Sequence, residues 1–230
     1  MPRLFVTGTD TGVGKTRVAT ALCAAFIAAG KRVAAMKPIA SGCMHTPDGL
    51  RNDDAEALRR AMNVRAGYAE VNPYAFLPAI APHIAAMEAG RTIEFEVLDR
   101  CFERLSLQSD VTIVEGAGGW LAPIDAGRTF ADLAAHWQLD VVLVVGLRLG
   151  CLNHALLTVE SIERHGLRLA GWVGNSVDPH FERLPENLQA LRTRIAAPCL
   201  GALPHSINST DEAVKLLSAN LRELEPLRHP

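Results

Sequence analysis

The sequence predicts an α/β fold: a three-layer, doubly wound, mostly parallel sheet covered by helices on both faces. Short β-branched runs alternate with longer Ala/Leu-rich runs, the pattern of parallel strands joined by crossover helices. Several of the short runs, Val141 to Val145 above all, are apolar throughout. Such continuity signals burial on both faces of a sheet rather than on one.

The strands are expected at Leu4 to Thr7, Val33 to Lys37, Val111 to Glu115, Val141 to Val145, Ala170 to Gly174 and Cys199 to Leu203. Helical periodicity predicts Lys15 to Ala29, Ala55 to Met62, Phe95 to Leu105, Phe130 to Trp137, Leu152 to His165, Pro185 to Ile195 and Asp211 to Leu224. Between the second and third of these helices, Ala66 to Pro82 carries Pro73, Pro78 and Pro82 and reads as one long irregular loop, of the kind that is more often functional than idle. No Gly/Ser/Pro-rich linker, low-complexity tract or long repeat interrupts the pattern, so a single domain over residues 1–230 is expected.

Composition narrows the function. A charged fraction of 21% with a formal net charge of -2 offers no bulk attraction to nucleic acid or to an anionic membrane, which leaves small molecules as the expected partners. The 5 cysteines (Cys23, Cys43, Cys101, Cys151, Cys199) are scattered and never paired as CxxC, which fits neither a disulfide framework nor a zinc site and implies a reducing cytoplasm. The 8 histidines form no HExxH arrangement. Met1-Pro2-Arg3 runs straight into an apolar strand, so no export signal is expected, and no apolar stretch approaches the roughly 20 residues that span a bilayer.

The chemistry starts at Gly8 to Thr16, GTDTGVGKT. A strand precedes this glycine-rich turn and an Ala-rich helix follows it, which is the context of a phosphate-binding P-loop. Backbone N–H groups and the helix N-terminus would face phosphates, Lys15 would add a cation near the β and γ phosphates, and Thr16 a hydroxyl for Mg²⁺. The loop is a variant, because Thr9 stands where strict spacing places the first glycine. The fold is therefore P-loop NTPase-like.

Other strand ends point to the same edge. Glu115 closes the Val111 to Val114 run ahead of Gly116, Ala117, Gly118 and Gly119, a place suited to a hard oxygen ligand for Mg²⁺, though also to a plain surface carboxylate. Asp53 and Asp54 qualify equally as metal ligands or as a helix N-cap. Lys37 ends the second strand, with Pro38 and Ser41-Gly42 following, and can supply a second cation beside a transferring phosphoryl group or be a solvated lysine. Asn175 in GNSVDP occupies the place of the NKxD guanine-reading element with Ser176 instead of its lysine, which favours ATP over GTP; an Asx-turn closed by Asp178-Pro179 is the alternative. Gly150-Cys151-Leu152-Asn153 opens a helix and offers amides to a carboxylate, or forms an ordinary helix start.

Taken together, GTDTGVGKT, KPIASG, RNDDA, VNPYAF, APH, VEGAGGW, FADL, VVGLRLGCLNHALLT, GNSVDP and LPH resemble the dethiobiotin synthetase family in order and spacing over nearly the whole chain, weakening after about Pro204. The resemblance implies a cytoplasmic homodimer that converts 7,8-diaminononanoate, CO₂ or bicarbonate and ATP, with Mg²⁺ as cofactor, to dethiobiotin, ADP and phosphate, through a carbamate and a carbamic-phosphoric anhydride. It implies Mg²⁺ ligation by Thr16, Asp54 and Glu115, and catalytic roles for Lys37, Lys15 and Thr11. Nucleotide contacts are implied for Gly12, Val13, Gly14, Lys15, Thr16, Arg17, Asp54, Glu115, Gly116, Ala117, Gly118, Asn175, Ser176, Pro204, His205, Ser206 and Asp211. The substrate is implied to meet Thr11, Lys37 and Ser41, its carboxylate being received across the dimer interface by the partner's amides at Gly150, Cys151, Leu152 and Asn153.

Gly12 departs from members with a larger polar residue there, and the C-terminal nucleotide-contacting region matches loosely. Two rival readings accompany this one. Another ATP-dependent ligase or amidating synthase of the same fold would use a different amine or carboxylate. A partition-type ATPase would switch dimerisation with nucleotide, but such proteins usually carry a second lysine early in the loop, and Gly8-Thr9-Asp10-Thr11 has none.

Overall fold

The computed structural model describes residues 2–205 and 210–224. β1 (Arg3–Gly8) leads through the P-loop into α1 (Lys15–Ala28) and β2 (Val33–Met36). A detour follows: β3 (Ile39–Ala40), the hairpin of β4 (Met44–Thr46) and β5 (Gly49–Arg51), α2 (Asp53–Ala61), α3 (Tyr68–Val71), β6 (Tyr74–Ala75), α4 (Pro82–Glu88) and α5 (Phe95–Leu107). The chain then alternates: β7 (Val111–Glu115), α6 (Phe130–His136), β8 (Asp140–Leu147), α7 (Cys151–Arg164), β9 (Leu169–Ser176), α8 (Leu184–Arg194), β10 (Cys199–Leu203) and α9 (Thr210–Ser218).

Six strands form one sheet in the order β10-β9-β8-β1-β7-β2, every neighbouring pair parallel. The two-face burial expected from the apolar runs follows from strand alternation. Leu4 and Val6 point to one side, against Val18, Leu22 and Phe26 of α1 and Ala213 and Leu217 of α9. Phe5 points to the other, where Trp120 meets it edge-on at 6.0 Å between ring centres and Phe130 of α6 lies at 6.5 Å. Further along that second side, Leu143, Val145 and Trp172 pack with α7 and α8. Because β1 is flanked by β7 and β8, the crevice where an open α/β sheet changes winding direction lies at the carboxyl ends of these three strands.

Three expectations need correction. The stretch from Ala66 to Pro82 is not one irregular loop: it contains α3 and β6, and Pro82 is the first residue of α4, where its missing N–H costs nothing. Elements of two to four residues are too short to show a period in sequence. The C-terminal helix stops at Ser218, and a separate turn of 3-10 helix covers Leu221–Leu224; between them the Asn220 side chain donates to the Leu200 carbonyl. The second strand ends at Met36; the Lys37 N–H leaves the sheet and donates to the Val71 carbonyl at 2.8 Å. Among the described residues no helix is long and apolar enough to cross a membrane.

Phe130 is fully buried between α6 and β1. Phe130→Ala is expected to lower the free energy of unfolding by about 3–5 kcal/mol, read from urea denaturation. A loss below 1 kcal/mol would contradict this packing.

Candidate active site

The P-loop is tied down on two sides. The Thr9 N–H donates to the Val144 carbonyl at 3.0 Å, and the Thr9 hydroxyl accepts from the Gly146 N–H at 3.2 Å. Thr9, the departure from strict spacing, thus staples the loop to β8. On the far side Asn175, at the end of β9, donates from Nδ2 to the Val13 carbonyl at 2.8 Å and accepts from Arg17 at 3.4 Å. Its amide lies so close beneath Gly14 that a Cβ there would sit 2.3 Å from Nδ2, and Gly14 also has φ of 92°. Only glycine fits both conditions.

Four charged side chains meet at this crevice. Lys15 is buried and donates to the carbonyls of Asp10 (2.9 Å) and Gly118 (2.6 Å), so it spans the P-loop and the loop after β7. Lys37, also buried, donates to Glu115 Oε1 at 2.5 Å, to Asp54 Oδ2 at 3.0 Å and to the Gly116 carbonyl at 3.2 Å. The Thr16 hydroxyl donates to the same Glu115 Oε1 at 2.8 Å. Glu115 Oε2 is buried with no hydrogen-bond partner among the described residues.

The charges set one another. Burial and then the nearby Lys37 charge hold the Lys15 ammonium down at about 8. Burial also disfavours charge on Lys37, but Glu115 and Asp54 outweigh it and raise this lysine above its ordinary value. For Asp54, burial pushes the carboxyl up and the Lys37 ammonium pulls it below the usual carboxylate range. Lys37 therefore stays charged while Lys15 is poised to lose its proton just above neutrality.

Asp53 and Asp54 occupy different surroundings. The N-cap of α2 is Asn52, whose side chain accepts from the Ala55 N–H at 3.2 Å. Asp53 is exposed, whereas Asp54 lines the cavity and pairs with Lys37. Sequence reading missed what holds this corner. The Asn52 N–H donates to the Tyr68 hydroxyl (2.7 Å), Tyr68 donates to Asn72 Oδ1 (3.0 Å), and Asn72 donates to the Lys37 carbonyl (2.7 Å). The signal was present as Asn72-Pro73 in the supposed irregular stretch, but the partners are distant in sequence.

A cavity of about 360 Å³ gathers Thr11, Gly12, Gly14, Lys15, Thr16, Lys37, Ser41, Asp54, Glu115, Ala117 and Gly118, together with Ala40 and Asn52. Val13 is buried beneath the loop, and Gly116 offers its carbonyl to Lys37. Ser176 follows Asn175 at the end of β9 and is buried. Pro204 and His205 are exposed just beyond β10. Ser206 and the Asp211 side chain lie outside the described residues.

Gly150, Cys151, Leu152 and Asn153 do not line this cavity. They open α7, whose N-cap Gly150 has φ of 93° and provides no capping side chain. Two residues earlier, Arg148 pairs with Asp10 of the P-loop, a contact that sequence reading did not anticipate.

This fold and loop define an α/β protein of the P-loop NTPase-like type. Solved structures agree: the MinD cell division protein of Aquifex aeolicus superimposes with a TM-score of 0.57 over 98% of this chain and 91% of its own, at 16% identity. The same organism's MinC:MinD cell division protein complex gives 0.57 over 97% and 89%, at 17% identity. A family described as an AAA domain matches residues 2–213. The ATP-dependent dethiobiotin synthetase BioD of Pseudomonas aeruginosa (strain UCBPP-PA14) is 52% identical over 228 residues, covering 99% of this chain and 98% of the relative. That of Xanthomonas euvesicatoria pv. vesicatoria (strain 85-10) is 50% identical over 203 residues, 88% of this chain and 91% of the relative. The chain belongs to the family of ATP-dependent dethiobiotin synthetases, ligases that form C–N bonds.

The depressed Lys15 has a measurable consequence. Between about 8 and the ordinary 10.5 the unfolded chain binds the proton that the folded chain has released, so this group's contribution to stability rises with pH across that window. Urea unfolding in metal-free buffer is expected to show the difference between wild type and Lys15→Met growing in favour of wild type from pH 8 to pH 10. A flat difference would refute the buried, desolvated lysine.

Proposed function

We propose that this chain, as a single-domain subunit of a cytoplasmic homodimer, uses ATP and Mg²⁺ to close 7,8-diaminononanoate and CO₂ into the cyclic urea of dethiobiotin, releasing ADP and phosphate. The observation that carries the reading is the juxtaposition of Lys15, Lys37, Thr16, Asp54 and Glu115 around one P-loop cavity, in a chain about half identical to named dethiobiotin synthetases over most of its length.

The donor set fits a hard divalent cation. Glu115 offers a buried oxygen without a partner, and the Thr16 hydroxyl and Asp54 carboxylate adjoin it. No group of three or more His, Cys, Asp or Glu side chains able to hold a metal occurs among the described residues. A site of two carboxylates and a hydroxyl suits Mg²⁺, which keeps several waters and takes further oxygens from nucleotide phosphates. When bound, Mg²⁺ would neutralise charge on those phosphates.

In the proposed reaction an unprotonated amine of the substrate captures CO₂ as a carbamate. A carbamate oxygen then attacks the γ-phosphorus, and ADP leaves. The second amine attacks the resulting carbamic-phosphoric anhydride, closes the five-membered ring and expels phosphate. Each stage develops negative charge, and the chain's part is to place positive potential there: Lys15, Lys37 and the P-loop amides do so without reorganisation at the moment of reaction. Thr11 and Ser41, on the cavity wall, would hold the diamine, which adds the advantage of proximity. Lys15 would exchange the carbonyls of Asp10 and Gly118 for phosphate oxygens. Arg17, Asn175, Ser176, Pro204, His205, Ser206 and Asp211 would contact the nucleotide, the Asn175 amide having a second N–H beyond the one that bonds Val13. The uncapped start of α7 would receive the substrate's carboxylate from the partner's cavity, since it does not line the P-loop cavity of its own chain.

Two experiments test this. ADP release should require both diaminononanoate and bicarbonate, with the ring-closed product detected by mass; Lys37→Gln should lose at least 100-fold in product formation while still binding ATP. Diamine-independent ADP release at the full rate would instead favour a different ATP-using enzyme of this fold. For the shared site, mixing Lys37→Gln with Gly150→Pro, each inactive alone, should restore part of the activity by forming mixed dimers. No recovery, with mixed dimers shown to form, would place the carboxylate contact elsewhere.

A further inference from the structure

We propose that Lys37 is the site's own counter-cation: it occupies the carboxylates that a divalent ion needs, and is set free to act on the reacting anion only when that ion takes them over. The inference rests on the metal site proposed above and adds an exchange between the metal and a lysine of this chain.

An ammonium has three N–H donors and no more. In this structure Lys37 commits them to Glu115 Oε1, Asp54 Oδ2 and the Gly116 carbonyl. None is left for a carbamate or phosphoryl oxygen, so a Lys37 held in this way has no donor for the reaction. The groups that hold it include both carboxylates of the proposed metal site, and Thr16 shares Glu115 Oε1 with it. The lysine and a divalent cation thus compete for Asp54 and for one oxygen of Glu115. The other Glu115 oxygen, buried and without a partner, is the vacant acceptor at which such an exchange can begin.

Elementary electrostatics favours the exchange. Two buried or half-buried carboxylates without a cation would be costly, which explains why a buried lysine sits between them in the metal-free chain. Arrival of a doubly charged ion satisfies both carboxylates and repels the ammonium from them. The backbone of Lys37 is held by its N–H to Val71 and its carbonyl to Asn72, so only the side chain needs to turn. It turns within the cavity that also contains Thr11 and Ser41, where the proposed substrate would lie. Metal loading and the availability of the catalytic lysine are thereby one event, and a nucleotide bound without metal would meet an occupied lysine.

The test is metal binding in the absence of nucleotide, read as free Mn²⁺ by electron paramagnetic resonance. Lys37→Met, which removes the competitor, is expected to bind Mn²⁺ at least 10-fold more tightly than wild type. Lys15→Met removes the same charge from the same cavity without touching the carboxylates and is expected to change affinity much less. If Lys37→Met binds no tighter than wild type, or no tighter than Lys15→Met, the exchange is wrong. If wild type binds no Mn²⁺ even with ADP present, the metal site itself is wrong, which is a separate failure. A second measurement does not depend on the variant folding: in wild-type protein labelled with ¹⁵N-lysine, the buried Lys37 ammonium should be protected from solvent exchange without metal and lose that protection on adding Mg²⁺ alone. A signal still protected when the site is saturated would overturn the proposal.

Discussion

The contact between Lys37 and Glu115 is the constraint around which the crevice is built. Both side chains are buried, and removing two charges from water costs several kcal/mol per ion before their attraction and hydrogen bonds are counted. A buried ion pair of this kind is poor value for stability alone, since apolar residues of the same volume often do as well. Its presence at the carboxyl ends of β2 and β7 makes sense as a requirement of chemistry. In the metal-free chain the surrounding groups hold the pair: the Gly116 carbonyl and Asp54 accept from Lys37, and the Thr16 hydroxyl donates to Glu115.

The scaffold meets this constraint through rigid elements. Glu115 is the last residue of a strand hydrogen-bonded in register to β1, with Val6 directly opposite it. Lys37 follows a strand on the other side of β7, and its backbone is fixed by α3 and Asn72 rather than by the sheet. The P-loop is held from β8 by Thr9 and from β9 by Asn175. Groups at the ends of β7, β8 and β9 and just past β2 thus surround the crevice, and the loop between them has little freedom left when a nucleotide arrives. Preorganisation of this sort is what makes fixed positive charge effective at a developing anion.

The parallel sheet, its two-sided burial and the P-loop were legible because each is written in local pattern. Val141 to Val145 is a run of apolar residues that only a doubly covered strand tolerates, and Gly14-Lys15-Thr16 stands where a strand turns into a helix. Tyr68–Val71 and Tyr74–Ala75 were not legible, since elements so short show no period and owe their form to partners elsewhere. The same reason hid the Asn52–Tyr68–Asn72 chain and the pair of Arg148 with Asp10. None of these residues carries a signature by itself. Asp53 and Asp54 could not be told apart in sequence because both stand at the start of the same helix, and only the cap at Asn52 and the direction of Asp54 toward Lys37 separated them.

By itself, then, the sequence determined the fold class, the position of the phosphate-binding loop and which charged residues stand at strand ends, because strand alternation, helical period and glycine turns act over a few neighbouring residues. Tertiary structure alone decided that Lys37, Glu115, Asp54 and Thr16 share one set of hydrogen bonds, that Lys15 is desolvated down to about 8, and that every donor of Lys37 is already committed. Those facts depend on distances between residues up to 99 positions apart, which strand order sets and no local pattern encodes.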